Sequence, residues 1–259
     1  MKTEPFFTII TCTLNSDRFL ENNLNSVKRQ TFKNYEHIFV DSGSTDNTKS
    51  ILNTYKKKFN NRVRIITFLK KGVSAAFNKG IERTRGEYII FLNSDDFFYD
   101  EKVLQNTYRF LIKHNNFDWI YGKIRVIEED GKDIGTFPTK KIFQISSNFI
   151  LKFVNFIPHQ AVFMKKEVFE KYGSFDTSLK VNMDTDLWLR IGSKTNWEFF
   201  NRIISNYMLR NDSLTSSVNN KKIAFTTLEK VKRRYLNCFE FFFAKIGDWL
   251  ILRFNKNYR

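Results

Sequence analysis

The sequence predicts an α/β protein built on a mostly parallel sheet flanked by helices. Strand-like and helix-like patterns alternate through the first hundred residues, which is typical of βαβ units. The run Glu87–Leu92 (EYIIFL) is apolar on both faces, as expected for a strand that is covered by helices on both sides. Small polar or acidic residues follow four of these runs in succession. In an open α/β sheet, ligands bind beyond the carboxyl ends of the strands, so these residues are the first candidates for a site.

The elements of the first hundred residues follow from two kinds of spacing. Apolar, β-rich runs predict strands, and apolar residues three or four positions apart predict helices. The predicted order is strand Phe6–Thr13, helix Asp17–Gln30, strand Tyr35–Val40, helix Asp46–Phe59, strand Val63–Leu69, helix Ser74–Thr84 and strand Glu87–Leu92.

Beyond Asp100 the alternation weakens. The patterns predict helices over Val103–Ile112, Glu167–Tyr172 and Asp184–Ile191, and strands over Trp119–Ile127 and Gln160–Lys165. Glu128–Gly131 is typical of a turn, and Ile142–Phe156 fits no single element. We place the domain boundary near Ser216–Asn220, with the main domain over residues 1–218 and a basic, amphipathic helical tail over residues 219–259.

The chain is strongly basic, with a net charge of +16 over 259 residues. Residues 221–259 hold ten Lys or Arg against three Asp or Glu, so this short tail carries much of the excess. Nucleic acid, an anionic membrane surface and a phosphate-bearing substrate all suit such a charge. No recognised nucleic-acid-binding motif is present, and acidic strand ends would repel phosphates unless a metal intervened. We therefore expect no nucleic-acid partner.

The tail has the composition of a helix that lies in a membrane interface. Phe239–Phe254 is strongly apolar but interrupted by charges, and Lys230, Lys232, Arg233 and Arg234 form a cationic cluster before it. Apolar surface beside basic charge suits an anionic bilayer surface. The alternative is a helix that packs on the main domain or on a dimer partner.

Cysteine content and hydropathy indicate the compartment. Cys12 and Cys238 are too few for a framework of disulfides. The apolar stretch Phe6–Cys12 is too short and too rich in threonine for a signal peptide, and no charge-free run reaches the roughly 18 residues of a membrane span. We expect a cytoplasmic protein that the tail could hold at the inner face of the cell membrane.

Four strand ends deliver polar groups to one edge of the predicted sheet. They are Thr11-Cys12-Thr13-Leu14-Asn15, VDSGSTD (40–46), GVSAAFNKG (72–80) and NSDD (93–96). Turn formation and helix capping explain VDSGSTD as well as a ligand site does. The adjacent carboxylates of NSDD repel each other unless a cation or hydrogen-bond donors stabilise them. Oxygen ligands suit Mg²⁺ or Mn²⁺, which bind one or two carboxylates plus substrate phosphates.

Together these stretches resemble the family 2 glycosyltransferases of the GT-A fold, over roughly residues 6–216. The resemblance rests on six motifs in the family's order: T-x-x-x-N (11–15), VDSGSTD, GVSAAFNKG, GEYIIFLNSDD (86–96), PHQAVF (158–163) and FDTSLKVNMDTDLWLRI (175–191). It implies a metal-dependent, inverting transfer from a nucleotide-diphosphate sugar, with a UDP-hexose as the first expectation. The expected acceptor is a saccharide or a lipid-linked molecule of surface polysaccharide or glycolipid assembly.

The resemblance also implies roles for individual residues. Thr11, Asn15 and Asp41 would line the base and ribose pocket, and Asn78 would help to complete it. Asp95 and Asp96 would hold the Mn²⁺ or Mg²⁺ ion, with Asp96 the preferred direct ligand. Asp184 would be the general base. His159 would lie near the cleft, although a lone histidine more often makes a structural hydrogen bond.

Three positions depart from the family's usual pattern. Ser42 stands where many relatives have a second acid, Asn93 replaces the more common first acid of the metal motif, and Met183 replaces a frequent glutamate. These three departures leave the nucleotide base and the sugar of the donor undetermined. A nucleotidyltransferase is the main alternative, but such enzymes usually have a glycine-rich loop after the first strand. This chain has no glycine before Gly43.

Helical spacing separates the two acids of Met183-Asp184-Thr185-Asp186. Positions 184 and 186 lie about 200° apart on a helix, so only one can face the cleft. Asp184 shares the apolar face of Leu187 and Trp188, whereas Asp186 has Arg190 at i+4. We therefore expect Asp184 to face inward and Asp186 to lie on the exposed face. The alternative for Asp184 is that it only caps the helix.

Overall fold

A computed structural model describes residues 4–59, 61–70, 72–114, 117–144, 146–210 and 218–254, with side chains of the last stretch described for 222–246. Strands and helices alternate in the amino-terminal half, as the sequence predicts. The strands are β1 (Phe7–Thr13), β2 (Tyr35–Asp41), β3 (Val63–Thr67), β4 (Tyr88–Phe91), β5 (Phe97–Phe98), β6 (Trp119–Glu128), β7 (Asp133–Phe137), β8 (Val162–Lys165) and β9 (Trp197–Leu209). The helices are α1 (Leu20–Arg29), α2 (Thr48–Lys58), α3 (Val73–Glu82), α4 (Val103–His114), α5 (Asn148–Phe153), α6 (Lys166–Tyr172), α7 (Met183–Ile191), α8 (Val218–Tyr235) and α9 (Cys238–Phe254).

The strands form one sheet in the order β3-β2-β1-β4-β8-β6-β9-β5, with β7 paired to β6. The strands β3, β2, β1 and β4 are parallel to one another. β8 runs antiparallel to both β4 and β6, and β9 runs parallel to β6. β9 therefore points in the same direction as β4, and the two strands end at the same edge. The predicted α/β class is confirmed, with a parallel amino-terminal half and a mixed second half.

The central strands are buried because both faces of the sheet are covered. All four residues of β4 are buried, as are all seven of β2. One face packs on α3, α6 and α7 through a cluster that includes Phe77, Val168 and Trp188. Trp119 of β6 stacks between Trp188 and Trp197, with ring centroids at 5.3 and 4.6 Å. Both of these tryptophans therefore serve the core, and neither stacks on a sugar.

Three strands were missed by the sequence patterns: β5, β7 and β9. β5 has only two residues, and β7 is largely exposed and lies on β6 alone. β9 is the longest strand, but exposed Asn201 and Arg202 interrupt its apolar pattern, and its pairing with β6 shifts register nearby. The unassigned segment Ile142–Phe156 contains the short helix α5, which begins after Ser147, whose hydroxyl accepts a hydrogen bond from the amide of Ile150.

The tail helices α8 and α9 pack on the main domain. Leu236, Phe241 and Ala244 are buried against Phe153 of α5. Lys232 is buried too, and its ammonium donates to the Phe153 carbonyl at 2.8 Å. The packed arrangement was one of the two alternatives for the tail. The expected boundary at Ser216–Asn220 lies partly outside the described residues, because 211–217 are not described.

Among the helices that the structure describes, none has the length and apolar character needed to cross a membrane. Cys12 and Cys238 are both free thiols.

Candidate active site

The strand directions bring three segments to one edge of the sheet. β4 ends at Phe91 and leads into the NSDD turn, and β9 ends at Leu209 and leads into Arg210. β8 begins at this same edge because it runs antiparallel to β4, and His159 lies in the short turn before it. The start of α7 places Asp184 beside His159 at the same edge.

Asp95 and Arg210 form an ion pair at this edge. The Arg210 Nη1 atom lies 3.0 Å from Asp95 Oδ2, and both side chains are about one-fifth exposed, at 21% and 22%. The Arg210 guanidinium also lies 4.3 Å from the ring centroid of Phe19, which fixes its plane. Sequence reasoning missed Arg210 because it missed β9, the strand that delivers it.

Both carboxylate oxygens of Asp96 accept hydrogen bonds from other residues. Its Oδ1 accepts from the Met208 amide at 3.2 Å, its Oδ2 accepts from Asn93 Nδ2 at 3.0 Å, and Gln160 adds a further hydrogen bond. The side chain has no exposed surface. Burial raises the pKa of this carboxyl well above its ordinary value, and Asp95 raises it further. In this geometry Asp96 ties the turn to β9, whereas Asp95 has exposed surface at the cleft. The preference for Asp96 as the direct metal ligand stays a prediction.

His159 lies between the turn and α7. Its Nδ1 is 3.8 Å from Asp184 Oδ2, and its Nε2 is 3.3 Å from the amide nitrogen of Asn93. Burial lowers the pKa of His159, while Asp184 and Asp95 act in the opposite direction. The sequence-based placement of His159 near the cleft agrees with this position.

Asp184 stands at the first turn of α7, partly exposed, beside His159. The helix begins after Asn182, which has a left-handed backbone with φ of 58°. The Asn182 side chain donates to the Ala224 carbonyl of α8 at 2.6 Å, so the tail holds the start of this helix. The Thr185 amide donates to Asp184 Oδ1 at 2.8 Å, and Oδ2 is the oxygen directed towards His159.

Asp186 is buried, and the expectation that it lies on an exposed face is wrong. Its side chain is 3% exposed, and it accepts from Arg234 Nη1 at 2.9 Å and from the Tyr235 hydroxyl at 3.0 Å. Arg190, the expected i+4 partner, is more distant at 3.5 Å. The sequence could not show the burial of Asp186, because its partners lie in α8. This helix packs against the face of α7 that was expected to be exposed to solvent.

We expect Asp186→Asn to destabilise the protein, because the change leaves the Arg234 guanidinium with one carboxylate fewer at a buried contact. Arg234 is about one-third exposed and keeps Asp176 at 2.8 Å, so the loss should be that of a charge-assisted hydrogen bond, roughly 1.5–3 kcal/mol of unfolding free energy. Chemical denaturation followed by circular dichroism measures it. The control is Glu170→Gln in the exposed i,i+4 pair of Lys166 and Glu170, which should change stability by about 0.5 kcal/mol or less. Equal effects of the two changes would contradict this assignment.

Thr11 is fully buried. Its hydroxyl donates to the Leu92 carbonyl at 2.7 Å and lies 2.9 Å from His37 Nε2. It joins β1 to the end of β4 and to β2. The expected role of Thr11 in binding the base or ribose stays a prediction.

Asp41 is also buried, and it organises its own turn. Its Oδ2 accepts from the amides of Gly43 and Ser44, and its Oδ1 accepts from the hydroxyls of Thr13 and Ser44. Gly43 has φ of 96°, a left-handed backbone that favours glycine. These hydrogen bonds are those expected from the turn interpretation of VDSGSTD, and they leave Asp41 buried. Its expected place in the base and ribose pocket stays a prediction.

Asn15 and Asn78 both hold neighbouring loops. Asn15, with φ of 50°, is exposed at the end of β1, and its Oδ1 accepts from the Thr45 amide at 2.9 Å. Asn78 exchanges two hydrogen bonds with the backbone of Phe175, at 2.8 and 3.0 Å. Asn78 thus ties α3 to the segment that leads into α7. Asn15 is exposed and Asn78 is half-buried, and the binding roles expected of both stay predictions.

The donor set at the cleft suits an ion that is completed by substrate. Within the described residues, no three His, Cys, Asp or Glu side chains are grouped as a metal cage. One partly exposed carboxylate, that of Asp95, lies at the end of β4. Mg²⁺ and Mn²⁺ are commonly held in this way, by one or two carboxylates and the phosphates of the substrate. The residues present therefore fit such an ion.

Comparison with known proteins gives a consistent result. The family model described as "Glycosyl transferase family 2" matches residues 8–173. A PGL/p-HBAD biosynthesis glycosyltransferase of Mycobacterium bovis is 30% identical over 186 residues, which cover 72% of this chain and 69% of the relative. An uncharacterized glycosyltransferase of Methanocaldococcus jannaschii is 23% identical over 243 residues, covering 90% of this chain and 83% of the relative.

Two solved structures share the fold at low sequence identity. TarS 1–349 of S. aureus, in complex with UDP-GlcNAc, superposes with a TM-score of 0.71 at 18% identity, covering 87% of this chain and 65% of that one. The mannosyltransferase PcManGT of Pyrobaculum calidifontis, in complex with GDP-Man and Mn²⁺, gives 0.68 at 13% identity, covering 98% and 77%. The chain thus spans about two-thirds of the TarS fragment. The expected GT-A fold is confirmed.

Proposed function

The chain belongs to glycosyl transferase family 2, and on that basis we propose that its strand-end cleft transfers a sugar from a nucleotide-diphosphate donor to an acceptor hydroxyl with inversion at the anomeric carbon. The observation that carries the proposal is the meeting of Asp95, Arg210, His159 and Asp184 at one sheet edge. These residues come from the ends of two strands, the start of a third and the start of a helix. Together they offer a place for a charged diphosphate and a carboxylate base opposite to it.

Asp95 is the residue proposed to hold Mn²⁺ or Mg²⁺, together with the phosphates of the donor. When bound, the ion supplies Lewis-acid stabilisation of the charge on the leaving diphosphate. Asp96 keeps the NSDD turn in place through its bonds to Met208 and Asn93. The divalent ion bound with GDP-Man in PcManGT supports this choice of metal.

Asp184 is the proposed general base. A partly exposed carboxylate beside the cleft can accept the proton of the acceptor hydroxyl as that oxygen attacks the anomeric carbon. Attack from the face opposite to the leaving diphosphate inverts the configuration and needs no protein nucleophile. His159 lies 3.8 Å from the Oδ2 atom and can orient this carboxylate.

Arg210 is proposed to contact the donor diphosphate. Its guanidinium is held at the mouth of the cleft by Asp95 and Phe19, and a guanidinium binds phosphate oxygens in bidentate fashion. We expect Arg210→Ala to raise the KM for the donor and to lower kcat/KM by about tenfold or more, since charge-assisted hydrogen bonds contribute roughly 1.5–3 kcal/mol. Steady-state kinetics measure this.

The control is Arg202→Ala, because Arg202 is an exposed arginine of the same strand. We expect this variant to keep the wild-type KM. A normal donor KM in Arg210→Ala would remove Arg210 from the donor site.

The ligands and names of similar proteins support the donor and acceptor classes that we propose. UDP-GlcNAc bound to TarS supports a UDP-sugar, and GDP-Man bound to PcManGT keeps a GDP-sugar as the second candidate. The names of the mycobacterial relatives, PGL/p-HBAD biosynthesis glycosyltransferases, favour the lipid-linked or saccharide acceptor expected from the motifs. We retain residues 1–218 as the catalytic domain and 219–259 as its tail.

A panel of nucleotide sugars tests the function. The purified chain is incubated with each donor and Mn²⁺, and release of the free nucleoside diphosphate is measured. A glycosyltransferase releases UDP or GDP slowly even without an acceptor, because water can replace the hydroxyl. A nucleotidyltransferase would instead form nucleotide sugar and pyrophosphate from a sugar phosphate and a nucleoside triphosphate, and that outcome would overturn the proposal.

A further inference from the structure

One face of α9 is apolar and uncovered. Phe239, Phe242, Phe243 and Ile246 are 73%, 61%, 45% and 41% exposed. They stand at i, i+3, i+4 and i+7, which places them on a single stripe of the helix. We call these four residues the α9 stripe. Large apolar side chains are rarely grouped on the surface of a monomer without a partner.

The fold does not need this stripe for its own core. α9 uses another face, with Phe241 and Ala244, to pack on Leu236 and Phe153. The Lys152 ammonium, at 2.7 Å from Glu240 Oε1, adds a second tie between α5 and α9. The helix is therefore held by the domain with the stripe turned outward. Phe149, on the neighbouring α5, is also 73% exposed, so the apolar surface extends beyond α9.

The described part of the tail has an excess of positive charge. The two acids with described side chains in α8 and α9 are each paired with a lysine: Glu229 with Lys245 at 2.8 Å and Glu240 with Lys152. Lys222, Lys230 and Arg233 of α8 are exposed in addition. The tail therefore presents cations whose charge is not offset by its own described acids.

We propose that the α9 stripe and the exposed cations of α8 form a docking surface for an anionic lipid bilayer. Aromatic and aliphatic side chains enter the interfacial region, and Lys and Arg are attracted to anionic headgroups. A second copy of this chain fits the surface less well, because a symmetric contact would set the same cations against each other. An anionic bilayer is complementary to both the apolar part and the positively charged part of the surface.

Docking of this kind would also orient the cleft. α8 holds the start of α7 through the bond from Asn182 to Ala224, and Arg234 joins α8 to Asp186. The candidate base on α7 is therefore connected to the membrane-facing tail by a short, hydrogen-bonded path. This consequence rests on the proposed function, but membrane docking itself does not, since vesicle binding is measured without donor or acceptor.

The test is cosedimentation of the full chain with vesicles. One set contains phosphatidylcholine alone and the other contains phosphatidylcholine with phosphatidylglycerol. We expect the wild-type chain to sediment with the anionic vesicles and to remain in solution with the zwitterionic ones. The pair Phe239→Ser with Phe242→Ser should lower the vesicle-bound fraction about tenfold, and Phe243→Ser with Ile246→Ser should do the same.

The matched control is Ile112→Ser, because Ile112 is a half-exposed apolar residue of α4, outside the tail. It should bind vesicles like the wild type, and all variants should keep the wild-type melting temperature. Unchanged vesicle binding by both stripe pairs would overturn the proposal. A dimer in sedimentation equilibrium that the stripe pairs dissociate, without vesicle binding by the wild type, would overturn it in favour of a second copy.

Discussion

Asp184→Asn should lower turnover by about a hundredfold or more, the range typical of losing a general base. The asparagine has nearly the same size and keeps the oxygen that accepts from the Thr185 amide, but it cannot take the acceptor proton. Donor and metal binding should survive because neither depends on this carboxylate. Turnover is measured with a saturating donor, and binding is measured by the rise in melting temperature with donor and Mn²⁺.

Asp186→Asn is the informative comparison. It stands two residues further along α7 but lies in the buried network with Arg234 and Tyr235. We expect it to lose stability and to keep turnover per folded molecule close to that of the wild type. If Asp186→Asn lost turnover while folded and Asp184→Asn did not, the assignment of the base would be wrong.

Asp95→Ala should abolish metal-dependent activity without unfolding the chain. Lewis-acid stabilisation of the leaving group supplies several kcal/mol, so its loss corresponds to a decrease on the order of a thousandfold. Chelation of the wild type should have the same effect, and Mn²⁺ or Mg²⁺ should restore the wild type but not the variant. Full activity in a chelator would contradict the metal assignment.

Asp96→Ala separates the two neighbouring acids. It removes a buried carboxylate and leaves the donors of Met208 and Asn93 without their acceptor, so the main effect should be on the melting temperature. A folded Asp96→Ala variant with lost metal binding, beside an active Asp95→Ala variant, would restore the ranking that the sequence suggested.

The first half of the fold was predictable because β4 is an uninterrupted apolar run and β2 has the apolar run Ile38–Val40, and both strands are buried on both faces. β9 was not, since exposed residues and a register shift break its pattern. The missed strand had a consequence for the site. It delivers Arg210, and it brings the Met208 amide that engages Asp96. The choice between Asp95 and Asp96 therefore depended on a contact 112 residues away in the chain.

The meeting of candidate residues at one sheet edge was more predictable than their hydrogen-bond partners. Polar residues at strand ends indicated the edge at which His159 lies beside Asp184. Thr11, Asp41 and Asn78 are polar residues in the same motifs, but they form hydrogen bonds with the backbone and side chains of neighbouring segments. A residue that holds a turn and one that binds a ligand have the same sequence signature. Asp186 shows the same limit, because its partners on α8 lie 48 and 49 residues along the chain.

The central claim is a single displacement in which Asp184 activates the attacking oxygen. Real-time proton NMR of donor hydrolysis tests it without knowledge of the acceptor, since water can serve as the attacking group. With a donor whose sugar is α-linked to the diphosphate, the account predicts that the β-anomer of the free sugar forms first and then equilibrates. First appearance of the α-anomer would show retention, require a second displacement and contradict the role proposed for Asp184.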